Sequence, residues 1–297
     1  MDGTREIKID QAVAAPGWTA ARLTGGRVWL VQVLLLVMAG AYLFAPIVAK
    51  LVKVWWTSED DSYGALIPLA SAYFAWDKRA ALRGVSRCAS PWAIPVVLAA
   101  VFLFGAGTLG TIFGLQAVGL VLYVWVIVLS VWGIQAARIL IFSLGFLLFL
   151  VPVPAALLDR IAPPLQLFAA NFAGWVLEGV RIPVLIEGVY IHLPRAVLHV
   201  AVACAGLRFL VSTTMLGVVV AYWGQRTLGR RLLVAALAVP IAILANASRV
   251  TVTGVLAYTV GVETAMGFFH SFSGSVVFWM GIGGLIAVNA AIRRIGR

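Results

Sequence analysis

Charge is what this chain has least of: of its 297 residues only 11% are charged, 11 are acidic, three are histidine and two are cysteine. A soluble domain carries about a quarter of its residues as charges, so a large water-facing surface is excluded. The two cysteines, Cys88 and Cys204, stand in unrelated surroundings. With no Cys-x-x-Cys and no His/Cys cluster, neither a disulfide scaffold nor a metal site is expected, and no cofactor is implied. Cys88, in "LRGVSRCASP", reads as an inert free thiol in a cytosolic loop. The net charge of +11 raises nucleic acid as a partner, but the basic residues are scattered between apolar runs and line no single face or tail. Membrane topology explains them better, and no nucleic-acid partner is expected.

What is abundant is apolar: 63% of residues are hydrophobic and the mean hydropathy is +1.03. A spanning helix takes about 20 such residues. Runs near 28–49, 63–76, 92–109, 115–134, 139–153, 196–223, 232–258 and 271–291 predict about eight transmembrane helices in an all-α polytopic membrane protein. The runs at 63–76 and 139–153 are short for a hydrocarbon core of about 30 Å. Residues 1–27 hold Arg5, Lys8, Arg22 and Arg27 before a run too long for a signal-peptide core. They predict a cytosolic tail and an uncleaved anchor, with a single transmembrane domain over 28–297.

Basic residues orient this map. With the N-terminus inside, the cytosolic set is Arg5, Lys8, Arg22, Arg27, Lys78, Arg79, Arg83, Arg87, Arg138, Arg226, Arg230, Arg231, Arg293, Arg294 and Arg297, 15 of the 22 Lys and Arg. Outside lie Lys50, Lys53, Arg160, Arg181 and Arg195, together with seven acids: Glu59, Asp60, Asp61, Asp159, Glu178, Glu187 and Glu263. Both termini are therefore expected in the cytosol. The longest external loop, 154–195, contains a stretch at 164–180 with Leu165, Phe168, Phe172, Trp175 and Val176 at helical spacing, which suggests an interfacial helix. After it, "RIPVLIEGVYIHLPR" alternates around Glu187-Gly188 and reads as a small external β-hairpin or an irregular loop. There is no internal repeat and no low-complexity tract.

An ionisable side chain inside a span costs at least about 2.5 kcal/mol on insertion scales and usually faces a bundle interior or a cavity. Arg208 falls in the predicted sixth span, Arg249 in the seventh and His270 at the start of the eighth. At about 1.5 Å of rise per residue, a helix entered at 196 puts Cys204 about 12 Å below the outer boundary, and one leaving at 258 puts Arg249 about 13 Å below it. A thiol, a cation and a histidine at one level suit nucleophilic thiol chemistry: the thiolate attacks, a cationic neighbourhood lowers its pKa, the imidazole moves protons and the guanidinium steadies an oxyanion. Arg208, four residues after Cys204, is expected on the same helical face. Asn246, three before Arg249, is a candidate support for that arginine or for substrate backbone. His199 would sit about 140° around the helix from Cys204 and partner it poorly, which leaves His192 as the rival base. "NAS" at 246–248 matches a glycosylation sequon, but within a predicted span it is discarded. Taken singly, a buried Cys is also a packing residue, a membrane Arg a structural or transport charge, and a boundary His an interfacial residue. A transporter or lipid-handling protein that binds an anionic group through Arg208 and Arg249 is therefore the alternative.

In order and spacing, "ACAGLR" (203–208), "NASR" (246–249) and the histidine of "FFHSFSG" (268–274) resemble the exosortase/archaeosortase family of membrane cysteine transpeptidases. "SYGALIPLASAYFAW" (62–76) and "VPVPAALLDRIAPPLQ" (151–166) are similar to further family segments, so the resemblance covers roughly 55–290. It implies Cys204, Arg249 and His270 as the catalytic trio, with Arg208 and Asn246 supporting. It implies, as partners, exported proteins ending in a short motif, an apolar helix and a basic cluster, cleaved from within the lipid bilayer at the extracytoplasmic face and passed to an unknown acyl acceptor. An extended motif strand pairing with the 182–195 hairpin is a further expectation. Two positions depart from the family pattern: Ala205 replaces the serine after the nucleophile, and "DSYGAL" lacks a histidine before its glycine.

Overall fold

The computed structural model describes residues 26–57, 62–86, 88–194, 196–201, 206–262 and 268–295. In chain order the helices are α1 (Gly26–Thr57), a 3-10 turn (Ser62–Ala65), α2 (Leu66–Asp77), α3 (Arg79–Arg83), α4 (Ala93–Leu109), α5 (Phe113–Val131), α6 (Gly133–Ile139) and α7 (Ile141–Phe146, running into a 3-10 turn over Leu147–Leu150). Then come α8 (Ala155–Gly179), strands β1 (Leu185–Glu187), β2 (Tyr190–Leu193) and β3 (Ala196–His199), and helices α9 (Leu207–Gly224), α10 (Leu228–Thr259) and α11 (Phe268–Ile295).

Among the described residues four helices are long and apolar enough to cross a membrane: Trp29–Thr57, Phe113–Val131, Leu228–Thr259 and Gly274–Arg294. Gly133–Ile139 and Ile141–Leu150, bent by 68°, make a fifth if they count as one broken span. The eight expected spans therefore reduce to four or five on length and composition. Two losses have plain causes. Residues 63–76 became a 3-10 turn and the 12-residue α2, only about 18 Å of helix. Residues 196–223 do not form one helix: 196–199 are strand and the helix starts at Leu207. A short apolar run rich in valine reads the same in a strand and in a buried helix, so periodicity could not separate them. The chain remains a mostly helical, polytopic membrane protein.

Contacts divide the chain into two compact units, Met1–Leu51 with Leu66–Val151 and Val52–Ala65 with Pro152–Arg297. In the first, Phe44 is buried edge-on to Phe104, with ring centroids 4.7 Å apart, and beside Tyr123 at 5.1 Å. Helices α4 and α5 approach until a Cβ on Gly119 would meet the Ala100 carbonyl at 2.9 Å. Polar groups here end on backbone: Ser71 Oγ donates to the Ser143 carbonyl (2.8 Å), Gln116 Nε2 to Gly107 (3.1 Å) and the Tyr123 hydroxyl to Leu36 (2.8 Å). Cys88 is half-buried, and its carbonyl lies against Gly133, whose φ of +78° turns the chain into α6.

In the second unit α8 packs along α10, Leu177 seating on Gly254, while Gly174 of α8 receives Ile186 of β1. The helix predicted at 164–180 begins earlier, at Ala155. The predicted hairpin is present with a two-residue loop, Gly188-Val189. Positive φ at Gly188 and not at Val189 follows the type II′ pattern. The hairpin extends into a three-stranded antiparallel sheet in the order β1-β2-β3, so the fold is not purely α. Ile191, Leu193, Leu198 and Val200 face a core shared with Ala173, Leu177, Ala247 and Val250, and Gln166 Nε2 of α8 donates to the Val200 carbonyl at 2.7 Å.

Candidate active site

Helices α9, α10 and α11 meet through small residues. A Cβ on Gly217 of α9 would meet Ala238 of α10 at 2.5 Å and Leu285 of α11 at 3.5 Å, and one on Gly281 of α11 would meet Thr213 at 3.9 Å. Close backbone approach of this kind is how helices associate when lipid removes the hydrophobic drive between them. It also sets where polar residues on the facing stripes meet.

On α10, "NASR" puts Asn246 and Arg249 about 60° apart on one face. Ala247, Val250 and Ala257 join the core with α8 and the sheet. Asn246 is 3% exposed and Arg249 is half-buried. The hydroxyls of this stretch are absorbed locally: Ser248 donates to the Leu244 carbonyl (2.9 Å), Thr251 to Ala247 (3.0 Å) and Thr253 to Arg249 (3.0 Å). Back-bonding to the i−4 carbonyl satisfies a hydroxyl where water is absent, so the carboxamide and the guanidinium remain the groups of this face able to reach across to another helix.

They reach two glycines. Gly206, directly before α9, has φ +77°, and a Cβ there would lie 2.5 Å from Asn246 Cγ and 2.8 Å from its Nδ2. Only glycine combines that left-handed backbone with so close an approach. On α11, a Cβ on Gly274 would lie 4.0 Å from both Cζ and Nη2 of Arg249. Residue 270 is one turn before Gly274 in the same helix, on the same face and about 6 Å along the axis. The structure thus brings together Gly206 at the head of α9, Asn246 and Arg249 on α10, and the face of α11 to which position 270 belongs.

Cys204 lies outside the described residues, as do the side chains of Arg208 and His270, whose backbones are in α9 and α11. One expectation is corrected: the helix that was to carry Cys204 and Arg208 on one face begins only at Leu207, after left-handed Gly206. Neither the i to i+4 relation nor the depth of about 12 Å counted from residue 196 then applies. His199 is likewise in a strand, stacked on Tyr190 with centroids 4.8 Å apart, so the helical angle assigned to it lapses. His192, the rival base, sits on β2 with Nε2 3.2 Å from Glu187 Oε2, cross-strand in the hairpin. The sequence reading gave no role to Gly206 or Gly274. The signal was there in a lone glycine at the edge of an apolar run, which marks a close approach as often as a break.

A bundle of apolar helices, with a carboxamide and a guanidinium gathered where the spanning helices α10 and α11 meet the head of α9, is the build of a polytopic membrane protein with a polar centre in its C-terminal helices. Residues 55–287 match the family described as transmembrane exosortase (Exosortase_EpsH), and the chain belongs to that family. Exosortases are generally membrane cysteine transpeptidases. The matched region starts in the segment Val52–Ala65 that groups with the C-terminal helices, where Trp55 packs on Gly64 of the "SYGA" turn. No curated protein and no solved structure matches the chain.

Proposed function

We propose that this exosortase cleaves the C-terminal sorting signal of exported membrane-anchored proteins at the extracytoplasmic face of the cytoplasmic membrane and passes the acyl product to an acceptor. The Cys204 thiolate attacks the scissile carbonyl, and the resulting oxyanion is held by Arg249 with Asn246 in support. His270 gives a proton to the departing amine, leaving a thioacyl enzyme. It then takes a proton from the incoming nucleophile, which attacks the thioester and releases the Cys204 thiolate. Arg208 adds positive charge next to the nucleophile segment. An acceptor amine makes the reaction a transpeptidation, and water makes it a hydrolysis. The bias of 15 among 22 basic residues toward one set of loops supports the orientation.

The observation that carries this reading is the meeting of the head of α9 with Asn246, next to Arg249 on the α11 face of residue 270. Cys204 is two residues from Gly206, at most about 7 Å of extended chain, so the thiol is tethered within reach of that centre. The test uses a reporter ending in a motif, apolar helix and basic cluster taken from an exported protein of the same genome. Cys204→Ala should leave it full-length, with processing reduced on the order of 10³-fold or more. Hydroxylamine added to the wild-type protein should capture the acyl group as a hydroxamate. Normal processing by Cys204→Ala removes the proposal, and so does a reporter that the wild-type protein leaves full-length, the result a transporter would give.

A further inference from the structure

The sheet beside the site has two unequal edges. At one, β1 lies under α8, where Ile186 fills the space over Gly174. At the other, no described strand pairs with β3 on the side away from β2. The pairing register tells which groups face that side. The Val200 amide donates to the Val189 carbonyl at 2.9 Å, so 189 and 200 form a hydrogen-bonded pair. In this register 191 with 198 and 193 with 196 are the next such pairs, and 190 with 199 and 192 with 197 alternate with them. The backbone groups of Val197 and His199 therefore point away from β2. The His199 carbonyl is taken by the Ala201 amide at 3.0 Å, which leaves both groups of Val197 and the amide of His199 along the edge, with no partner among the described residues. The Val197 side chain is 57% exposed, whereas Leu198 is buried.

We infer that β3 is the docking strand for the substrate: the extended peptide next to the scissile bond adds to this edge as a fourth strand, directly upstream of Cys204. This rests on the proposed thiol reading. Its grounds are continuity and size. Cys204 follows Ala201 by three residues, about 10 Å of chain at full extension, so a peptide on β3 is led toward the thiol. An edge of three groups is too short to hold a folded partner, yet it suits a short motif whose own membrane anchor already keeps it at high effective concentration. The 182–195 hairpin expected from sequence to play this part has its β1 edge under α8, and it is β3, hidden inside a predicted span, that runs on toward Cys204.

Disulfide mapping tests this without catalysis. In the full-length protein carrying Cys88→Ala and Cys204→Ala, Val197→Cys is oxidised against the same reporter with single cysteines stepped through its motif. Alternate motif positions should crosslink, and the buried control Leu198→Cys should give none at any position. Crosslinks at contiguous positions, or none, overturn the docking strand. In the otherwise wild-type protein Val197→Pro removes one outward amide without removing a β2–β3 hydrogen bond, and should lower reporter processing at least about tenfold while Val197→Thr retains it. Processing by Val197→Pro at the wild-type rate also overturns it. If Cys204→Ala alone processes the reporter while the alternating crosslinks appear, the thiol mechanism falls and the docking strand stands.

Discussion

The buried polar residues of the first unit and those of the 246–253 stretch of α10 in the second behave differently. In the first, Ser71, Gln116 and Tyr123 each close on a backbone carbonyl of the same unit, so they work as clasps between helices. In the second, Ser248, Thr251 and Thr253 close on their own helix, while Asn246 and Arg249 meet glycines of two other elements. A polar side chain in an apolar helix is therefore no mark of function by itself. Convergence of side chains from separate elements is the better criterion.

The largest test of that contrast compares histidines. His270→Ala should cost about 10²- to 10⁴-fold in the rate of reporter processing, the range of a lost general acid-base. His192→Ala, which removes only the hairpin contact to Glu187, should stay within a fewfold of wild type. The opposite ranking would move the proton-transfer role to the sheet. Next comes Gly206→Ala, where a side chain both enters a left-handed backbone, at about 1–2 kcal/mol, and strikes Asn246. Processing should drop at least tenfold, and Asn246→Gly should restore part of the lost thermal stability by clearing the collision while the rate stays low, because the carboxamide supports the oxyanion. Recovery of the full rate would show that neither the carboxamide nor the backbone conformation matters. The smallest effect is expected in the first unit: Gln116→Ala should lower stability by about 1 kcal/mol, the worth of one buried hydrogen bond. Activity per folded molecule should be unchanged, and thermal unfolding in detergent next to reporter kinetics reads both.

Much of the fold was legible because lipid simplifies the code. Long apolar runs gave α4, α5, α10 and α11 within a few residues, and α1 except for its C-terminal end, which runs on to Thr57, and Gly188 marked the hairpin turn. The failures share a cause. At 196–206 the run "AVLHVAVACAG" is apolar but for His199, and apolar content says nothing of whether the backbone pairs with a neighbour or with itself. Pairing with β2 made 196–199 a strand, and a left-handed glycine moved the helix start to Leu207. The candidate residues of the site were named by their cost in lipid and by family resemblance, but the route between them was misjudged: a shared helical face for Cys204 and Arg208 was expected, whereas 196–199 are strand and the helix starts at Leu207.

The sequence by itself determined that this chain lives in a bilayer, that most of its basic residues fall between apolar runs, and that Cys204, Arg249 and His270 are its chemically unusual residues, because transfer energies and residue chemistry are local properties. Only the tertiary structure decided that Asn246 meets Gly206, that Arg249 lies against Gly274, and that β3 has an edge on which no described strand pairs. Those relations depend on how closely two backbones approach and on which partner a strand finds, and neither is written in the order of residues along one segment.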